Sequence, residues 1–157
     1  MSLLFPYVRV PINRPAFLLG GQMFRSRPLV RVTLIGSSGT YVERCLLDTA
    51  ADDAVFPDVA ATQAGIDLTN APIGAASGVG FVSHQIRYAR VTLRITDGIE
   101  FCEWDTWIGF TSAPLGQPLM GFAGFLQFFD ADFHGGREEV ELVTSSLYPG
   151  RTGVLVP

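Results

Sequence analysis

Short runs of alternating apolar and polar residues recur along this chain, and such alternation is typical of half-buried β-strands. The clearest run covers 91–95, where Val91, Leu93 and Ile95 are separated by polar residues. Turn residues such as Asp97-Gly98 separate the runs. The other predicted strands cover 7–12, 29–34, 41–47, 99–110, 140–144 and 153–156. The pattern therefore predicts about eight strands.

Helical spacing is found in only two places. The segment 59–63, which precedes Gly65, predicts one short helical turn. Nearer the C-terminus, apolar residues at i, i+3, i+4 and i+7 predict a short helix whose apolar stripe packs into the core. The stripe consists of Phe122, Phe125, Leu126 and Phe129. The expected fold is mostly β, closed or sandwich-like, with one clear helix.

Length and composition narrow the class of protein. A chain of 157 residues and 17.0 kDa fits one domain spanning 1–157. Hydrophobic residues make up 48% and charged residues 17%, which excludes an intrinsically disordered chain. No apolar run approaches the length of a membrane-spanning helix, so we expect no membrane partner.

Charge and reactive side chains exclude several functions. The net charge is −4, every basic residue is arginine and none form a basic block, so nucleic-acid binding is not expected. Cys45 and Cys102 lie in apolar runs and are expected to be buried thiols. Neither these cysteines nor His84 and His134 have metal-ligand spacing, so neither a metal nor a cofactor is predicted. The N-terminus lacks the features of an export signal, and the expected location is cytoplasmic.

The most informative segment begins at Asp48, directly after the apolar run 41–47. A carboxylate at the end of an apolar strand is costly unless a turn supplies hydrogen-bond donors to it. The tripeptide Asp48-Thr49-Ala50 suits such a turn, because small residues let the backbone approach and the Thr49 hydroxyl can tie the loop to a neighbouring one. On this loop alone, an ordinary turn aspartate is an equally good interpretation.

The run 46–55 resembles the active-site loop of the retropepsins, the half-size aspartic proteases of retroviral type. Three further features follow in the retropepsin order. A glycine-rich segment is similar to the tip of the retropepsin flap and consists of Ser77, Gly78, Val79, Gly80 and Phe81. The strand 91–95 follows as the flap's return strand would. The run 118–121, Pro-Leu-Met-Gly, is similar to the apolar-apolar-Gly motif that precedes the family's helix. The resemblance spans about 29–144.

This resemblance implies a closed β-barrel of the retropepsin type with one short C-terminal helix. It implies an aspartic endopeptidase in which Asp48, Thr49 and Ala50 form the catalytic loop. The substrate would be an extended peptide or protein, bound by Asp52, Asp53 and the flap. The chemistry needs two carboxylates that share one proton, and the chain has one such loop, so a homodimer is expected. The segments 7–12 and 153–156 are candidates for strands at the dimer interface.

The chain departs from the family pattern at two positions. Ala50 replaces the commoner glycine, which the family tolerates. Phe122 stands where retropepsins usually carry an arginine that pairs with the acid at the position of Asp52. Asp52 therefore needs another partner, for which the candidates are Arg9, Arg14 or an arginine of a second subunit.

Other interpretations remain open beside the protease. A retropepsin fold without catalysis would be a peptide-binding or dimerisation module, and an unrelated β-barrel could bind a small apolar ligand. Asp52 and Asp53 could form a solvated acidic turn, and Gly78 and Gly80 an ordinary hairpin. Asp105-Thr106 resembles the catalytic pair, but Trp107 follows where a tight loop needs a small residue. A role for Trp104 and Trp107 in a cleft is less expected than their burial in the core or an interface.

Overall fold

The computed structural model describes residues 1–77 and 83–155. Strands account for 59% of the residues and helices for 9%, which confirms a mostly-β fold. The strands are β1 (Ser2–Pro6), β2 (Val8–Ala16), β3 (Gln22–Arg27), β4 (Leu29–Ile35), β5 (Thr40–Leu47), β6 (Val55–Pro57), β7 (Ile73–Ser77), β8 (Ser83–Thr96), β9 (Glu100–Thr111), β10 (Leu119–Met120), β11 (Phe129–His134), β12 (Glu139–Thr144) and β13 (Arg151–Val154). The single α-helix, α1, covers Asp58–Ala64 within the described ranges.

Eight strands form the main sheet in the order β13-β9-β6-β10-β5-β4-β8-β7. Strand β8 also pairs with β9, so the hydrogen-bonded order from β9 through β6, β10, β5, β4 and β8 returns to β9. Most pairs are antiparallel, but β10 runs parallel to β5 and β6 runs parallel to β9. The short strands β6 and β10 therefore lie among long ones, beside the loop that begins at Asp48.

The long strands follow the alternation of the sequence. Val91, Leu93 and Ile95 on β8 are all buried, as their spacing predicts. The turn after β8 is closed by Asp97, whose Oδ1 accepts the backbone N–H groups of Ile99 and Glu100 at 2.9 Å. These local bonds fix the register in which β8 and β9 pair.

Several aromatic side chains pack together in one part of the core. The Trp104 ring is 2% exposed and packs edge-on against Phe125, Phe129 and Tyr148, with centroids 5.4–5.8 Å apart. Such edge-to-face contacts are the favoured geometry of aromatic pairs. Burial of Trp104 confirms that it belongs to the core.

The two cysteines are free and buried, as expected from their apolar runs. Burial raises the pKa of both thiols, with Cys45 the more strongly affected. Neutral thiols in an apolar setting are poor nucleophiles and metal ligands.

Two smaller sheets accompany the main one. Strands β1, β12 and β11 form an antiparallel sheet, whose inner face adds Leu3 and Phe5 to the core along with Val140 and Leu142. Strands β2 and β3 form a separate two-stranded hairpin. None of the helices in the described ranges is both long and apolar enough to span a membrane.

The predicted C-terminal helix over 122–129 is wrong. The segment is a series of turns with a 3-10 helix at Leu126–Phe128, and β11 begins at Phe129. The backbone N–H groups of Leu126 and Gln127 bond five residues back, at 3.0 and 2.9 Å, rather than four. Gly124 has a φ of +90°, which a right-handed helix does not allow. Phe122 is consequently 62% exposed, although the apolar stripe placed it in the core.

Candidate active site

Asp48 occupies the first position after β5, in a tight loop of residues 48–54 that we call the Asp48 loop. Its backbone N–H donates to the carbonyl of Met120 at 3.2 Å. Its side-chain Oδ1 accepts the N–H of Ala50 at 2.9 Å. The half-buried carboxylate has no cationic side chain within 4.0 Å among the described residues. It is therefore held in place by the backbone and not neutralised by its own chain.

Strand β10 fixes this loop from behind. It lies between β5 and β6, pairing Met120 with Leu47 and Leu119 with Val55. Beyond it, the N–H of Phe122 donates to Ala51 O at 2.9 Å and that of Ala123 donates to Asp52 O at 2.7 Å. The loop is thus hydrogen-bonded along its length to the chain that follows β10.

Gly121 is required where β10 meets the loop. A Cβ atom at this position would overlap the carbonyl oxygens of Asp53 and Ala51. A small residue at the end of the Pro-Leu-Met-Gly run therefore lets the two backbones approach. The sequence similarity at 118–121 coincides with a steric requirement in the structure.

Thr49 and Ala50 are exposed on the surface of the single chain. The Thr49 hydroxyl has no hydrogen-bond partner within the described part of the chain. The loop consequently leaves Thr49 and Ala50 accessible to solvent beside the half-buried Asp48.

Asp53 is tied to the main sheet. Its Oδ2 accepts a 2.6 Å hydrogen bond from the Tyr88 hydroxyl on β8. Burial, together with the hydrogen bond and charge of Asp53, raises the pKa of Tyr88 to about 12. No sequence spacing links Tyr88 to Asp53, which lies 35 positions away, so this contact could not be predicted from the sequence. The half-buried Asp53 thus has a structural partner, and its role toward a substrate stays a prediction.

Asp52 is exposed, and its carboxylate forms no ion pair with the described residues. The expectation that Arg9 pairs with it inside the chain is wrong, because Arg9 lies 3.7 Å from Glu138. Phe122, at the position of the family's arginine, lies next to the loop backbone and supplies no charge. Asp52 remains available to a group from outside this chain.

The structure describes only part of the predicted flap. Strand β7 pairs with the start of β8, from Ile73 opposite Arg87 to Ser77 opposite Ser83, so the chain reverses where a hairpin was expected. Four residues of the predicted flap tip lie outside the described residues. They are Gly78, Val79, Gly80 and Phe81. Strand β7 ends the order of the main sheet, so one of its edges is unpaired within the described part.

A cavity formed by the described residues lies away from the Asp48 loop. It is an open groove of about 630 Å³ between the segment after α1 and strands β8 and β9, where Trp107, Arg90 and Asp105 contribute to its wall. No residue of the Asp48 loop lines it. Trp107 is 55% exposed, so its expected burial in the core is wrong, and its burial in an interface stays a prediction.

Neither the catalogue of protein-family models nor that of curated proteins gives a match to this chain. Among the described residues, no three His, Cys, Asp or Glu side chains are grouped so that they could hold a metal ion.

Proposed function

We propose that this protein is a homodimeric aspartic endopeptidase of the retropepsin type, in which each subunit supplies one Asp48. The observation that carries the proposal is the environment of Asp48. Its half-buried carboxylate accepts one backbone N–H and lies on a loop that β10 holds in place.

The fold supports the same proposal. The pairing order that returns from β8 to β9 is compatible with the closed barrel that a retropepsin-type domain would have. The Asp48 loop follows β5, which is one of the strands in this order. Strand β7 lies at the edge of the sheet, beside β8. In a retropepsin-type domain, a glycine-rich flap and an aspartate loop are the two parts that bind and cleave an extended peptide.

The reaction follows from two carboxylates on a two-fold axis. Like charges about 3 Å apart do not both ionise, so the pair holds one proton. The ionised Asp48 removes a proton from a water molecule, whose oxygen attacks the peptide carbonyl carbon. The protonated Asp48 of the other subunit donates its proton to the carbonyl oxygen. When the carbon–nitrogen bond breaks, the amine takes a proton from the first carboxyl group, and the second recovers its proton from the diol.

Substrate binding would use main-chain hydrogen bonds. An extended peptide adds to a sheet through the unpaired N–H and C=O groups of an edge strand. The edge of β7 that is unpaired in the described part of the chain offers such groups. This mode of binding presents a scissile amide in the extended form that the paired carboxylates need.

The test is cleavage of a mixed peptide library by the purified full chain. We expect cleavage that a statine-type transition-state mimic inhibits and that Asp48→Asn lowers by 10²–10⁴-fold or more, on the order of the contribution of acid–base catalysis. Asp105→Asn is the matched control, since Asp105 is also followed by threonine but is exposed on β9. Full activity of Asp48→Asn would contradict the assignment. A dimer that binds peptides without cutting them would support the non-catalytic module instead.

A further inference from the structure

The hairpin of β2 and β3, residues 8–27, stands apart from the rest of the fold; we call it the arm. Its strands pair only with each other in the described residues, and it supplies no side chain to the hydrophobic core. A two-stranded hairpin without a further layer is marginally stable in water. Its tip is apolar, and Phe17 and Leu18 are 92% and 93% exposed. The arm therefore has the composition of an element that is covered by a partner.

Charge is divided unevenly between the arm and the rest of the chain. The arm contains four of the eleven basic residues and none of the fifteen acidic ones, giving it +4 and leaving −8 elsewhere. Arg14 and Arg25 are exposed and form no ion pair within the described part. The arm is complementary in charge to the body of another copy of the same chain.

The arm leaves the fold beside the candidate active site. It ends at Arg27, and the carbonyl of the next residue, Pro28, accepts the N–H of Leu47 at 3.0 Å. Leu47 directly precedes Asp48. The arm's base is held by Glu138, which accepts a 2.8 Å hydrogen bond from the Ser26 hydroxyl. The nine residues of β2 extend about 30 Å at the rise of a strand, which is enough to reach from this point across a neighbouring subunit.

An acidic surface suited to the arm lies on the outer face of the β1–β12–β11 sheet. Asp132 is directly opposite Glu141 in the β11–β12 ladder, and residues two apart on a strand share a face. The carboxylates of this face belong to Asp130, Asp132, Glu139 and Glu141. Asp130 and Asp132 are exposed and have no ion pair among the described residues. We call this surface the acidic face.

We propose that the arm is a dimer clasp, which lays its arginines and apolar tip on the acidic face of a second copy. The inference rests on the homodimer of the proposed function, in which the two Asp48 loops meet. An anionic membrane is the other surface that attracts a basic arm with an apolar tip. The charge of −8 on the rest of the chain opposes approach to such a membrane and favours the second copy.

A charge-swap experiment tests the clasp. In the arm variant, Arg14→Glu and Arg25→Glu make the arm acidic; in the face variant, Asp130→Arg and Asp132→Arg make the face basic. Each variant alone is expected to dimerise at least tenfold more weakly than the wild type in analytical ultracentrifugation. When the two variants are mixed, both contacts can form in the heterodimer. The acidic arm of the arm variant meets the basic face of the face variant, and the native arm of the face variant meets the native acidic face of the arm variant. Circular dichroism checks that each variant folds.

The outcomes separate the clasp from the protease. Wild-type dimerisation of both variants, or no recovery on mixing, overturns the clasp. So does binding of the wild type, but not the arm variant, to phosphatidylserine vesicles while the dimer is unchanged. Asp48→Asn is expected to dimerise like the wild type. If it does and the wild type cleaves no peptide, the clasp stands while the proposed function falls; if cleavage depends on Asp48 but the charge swaps leave the dimer unchanged, the reverse holds.

Discussion

The hydroxyl of Tyr88 donates a 2.6 Å hydrogen bond to the carboxylate of Asp53. Tyr88 lies on β8, the strand that continues from the predicted flap, and Asp53 lies in the Asp48 loop. Their contact joins the two parts of the chain that the proposed function assigns to substrate binding and catalysis. A movement of β8 would therefore be transmitted to the loop through this bond.

Tyr88→Phe removes this hydrogen bond and leaves a half-buried carboxylate without its donor. We expect a loss of about 1–3 kcal/mol in the free energy of unfolding, measured by urea denaturation at pH 7. The pKa of Tyr88 is raised to about 12 in the folded protein. The stabilisation is therefore complete below pH 10 and is lost as the pH rises from 10 to 12. Over that range the difference between wild type and variant should shrink, and a difference that stays constant would contradict this role.

Gly121→Ala tests the close approach behind the Asp48 loop. The added methyl group would overlap the carbonyl oxygens of Asp53 and Ala51, and backbone must move to accommodate it. We expect a loss of about 1–3 kcal/mol in thermal or urea unfolding, with a larger proportional loss of any peptide cleavage.

Gly116→Ala is the matched control for this substitution. No atom lies within 4 Å of the Cβ position at Gly116, so its stability should change by no more than about 0.5 kcal/mol. Equal stability of the two alanine variants would show that the loop does not depend on contact with Gly121.

Strands with one buried face could be predicted from the sequence because their period is two residues. The runs at 29–34, 41–47 and 91–95 all lie within strands of the structure. The arm shows the limit of this approach. Strand β2 extends to Ala16 and pairs with β3, yet β3 was not predicted because its residues 22–27 are partly exposed on both faces. Alternation of apolar and polar residues predicts a strand only where one face of that strand is buried.

The candidate site was predictable only as a local segment. The Asp48 loop follows an apolar strand and is rich in small residues, and both features can be seen in the sequence. The insertion of β10 between β5 and β6 is a long-range pairing of two residues, too short to carry a periodic pattern. The same holds for Tyr88, whose partner Asp53 is distant along the chain. Both depend on the order of the strands in the main sheet.

Phe125→Ala and Phe122→Ala test the corrected structure of 122–129. The predicted helix would bury both side chains, whereas the structure buries Phe125 fully and leaves Phe122 62% exposed. Phe125→Ala should therefore cost about 3–5 kcal/mol of unfolding free energy, since it leaves a cavity beside Trp104. Phe122→Ala should cost less than about 1 kcal/mol in the monomer. Similar large losses of stability for both variants would contradict this structure and support the predicted helix, in which both side chains face the core.

Glu103 lies on β9 and links three strands, because its carboxylate accepts hydrogen bonds from Arg94 on β8 and Arg151 on β13. Its side chain is 11% exposed, so partial burial raises its pKa, but the two arginines outweigh this and hold the pKa below the usual value of 4.5. A depressed carboxyl pKa stabilises the fold above about pH 4.5 and ceases to do so as the pH falls through the folded-state value. Glu103→Gln should therefore lower the free energy of unfolding at pH 7, and the gap to wild type should close on acidification.

The expected loss at pH 7 is about 1–3 kcal/mol, as for hydrogen bonds to a charged group. Asp105→Asn is the control, because its ion pair with Arg90 is well exposed, at 57% and 68% for the two side chains. Surface pairs of this kind contribute about 0–1 kcal/mol. Urea denaturation of the three proteins between pH 3 and pH 7 separates the cases. The contrary result is a difference in free energy of unfolding between Glu103→Gln and wild type that does not narrow below pH 4.5. That result would mean that Glu103 stabilises the contact of β8, β9 and β13 by packing and not by its charge.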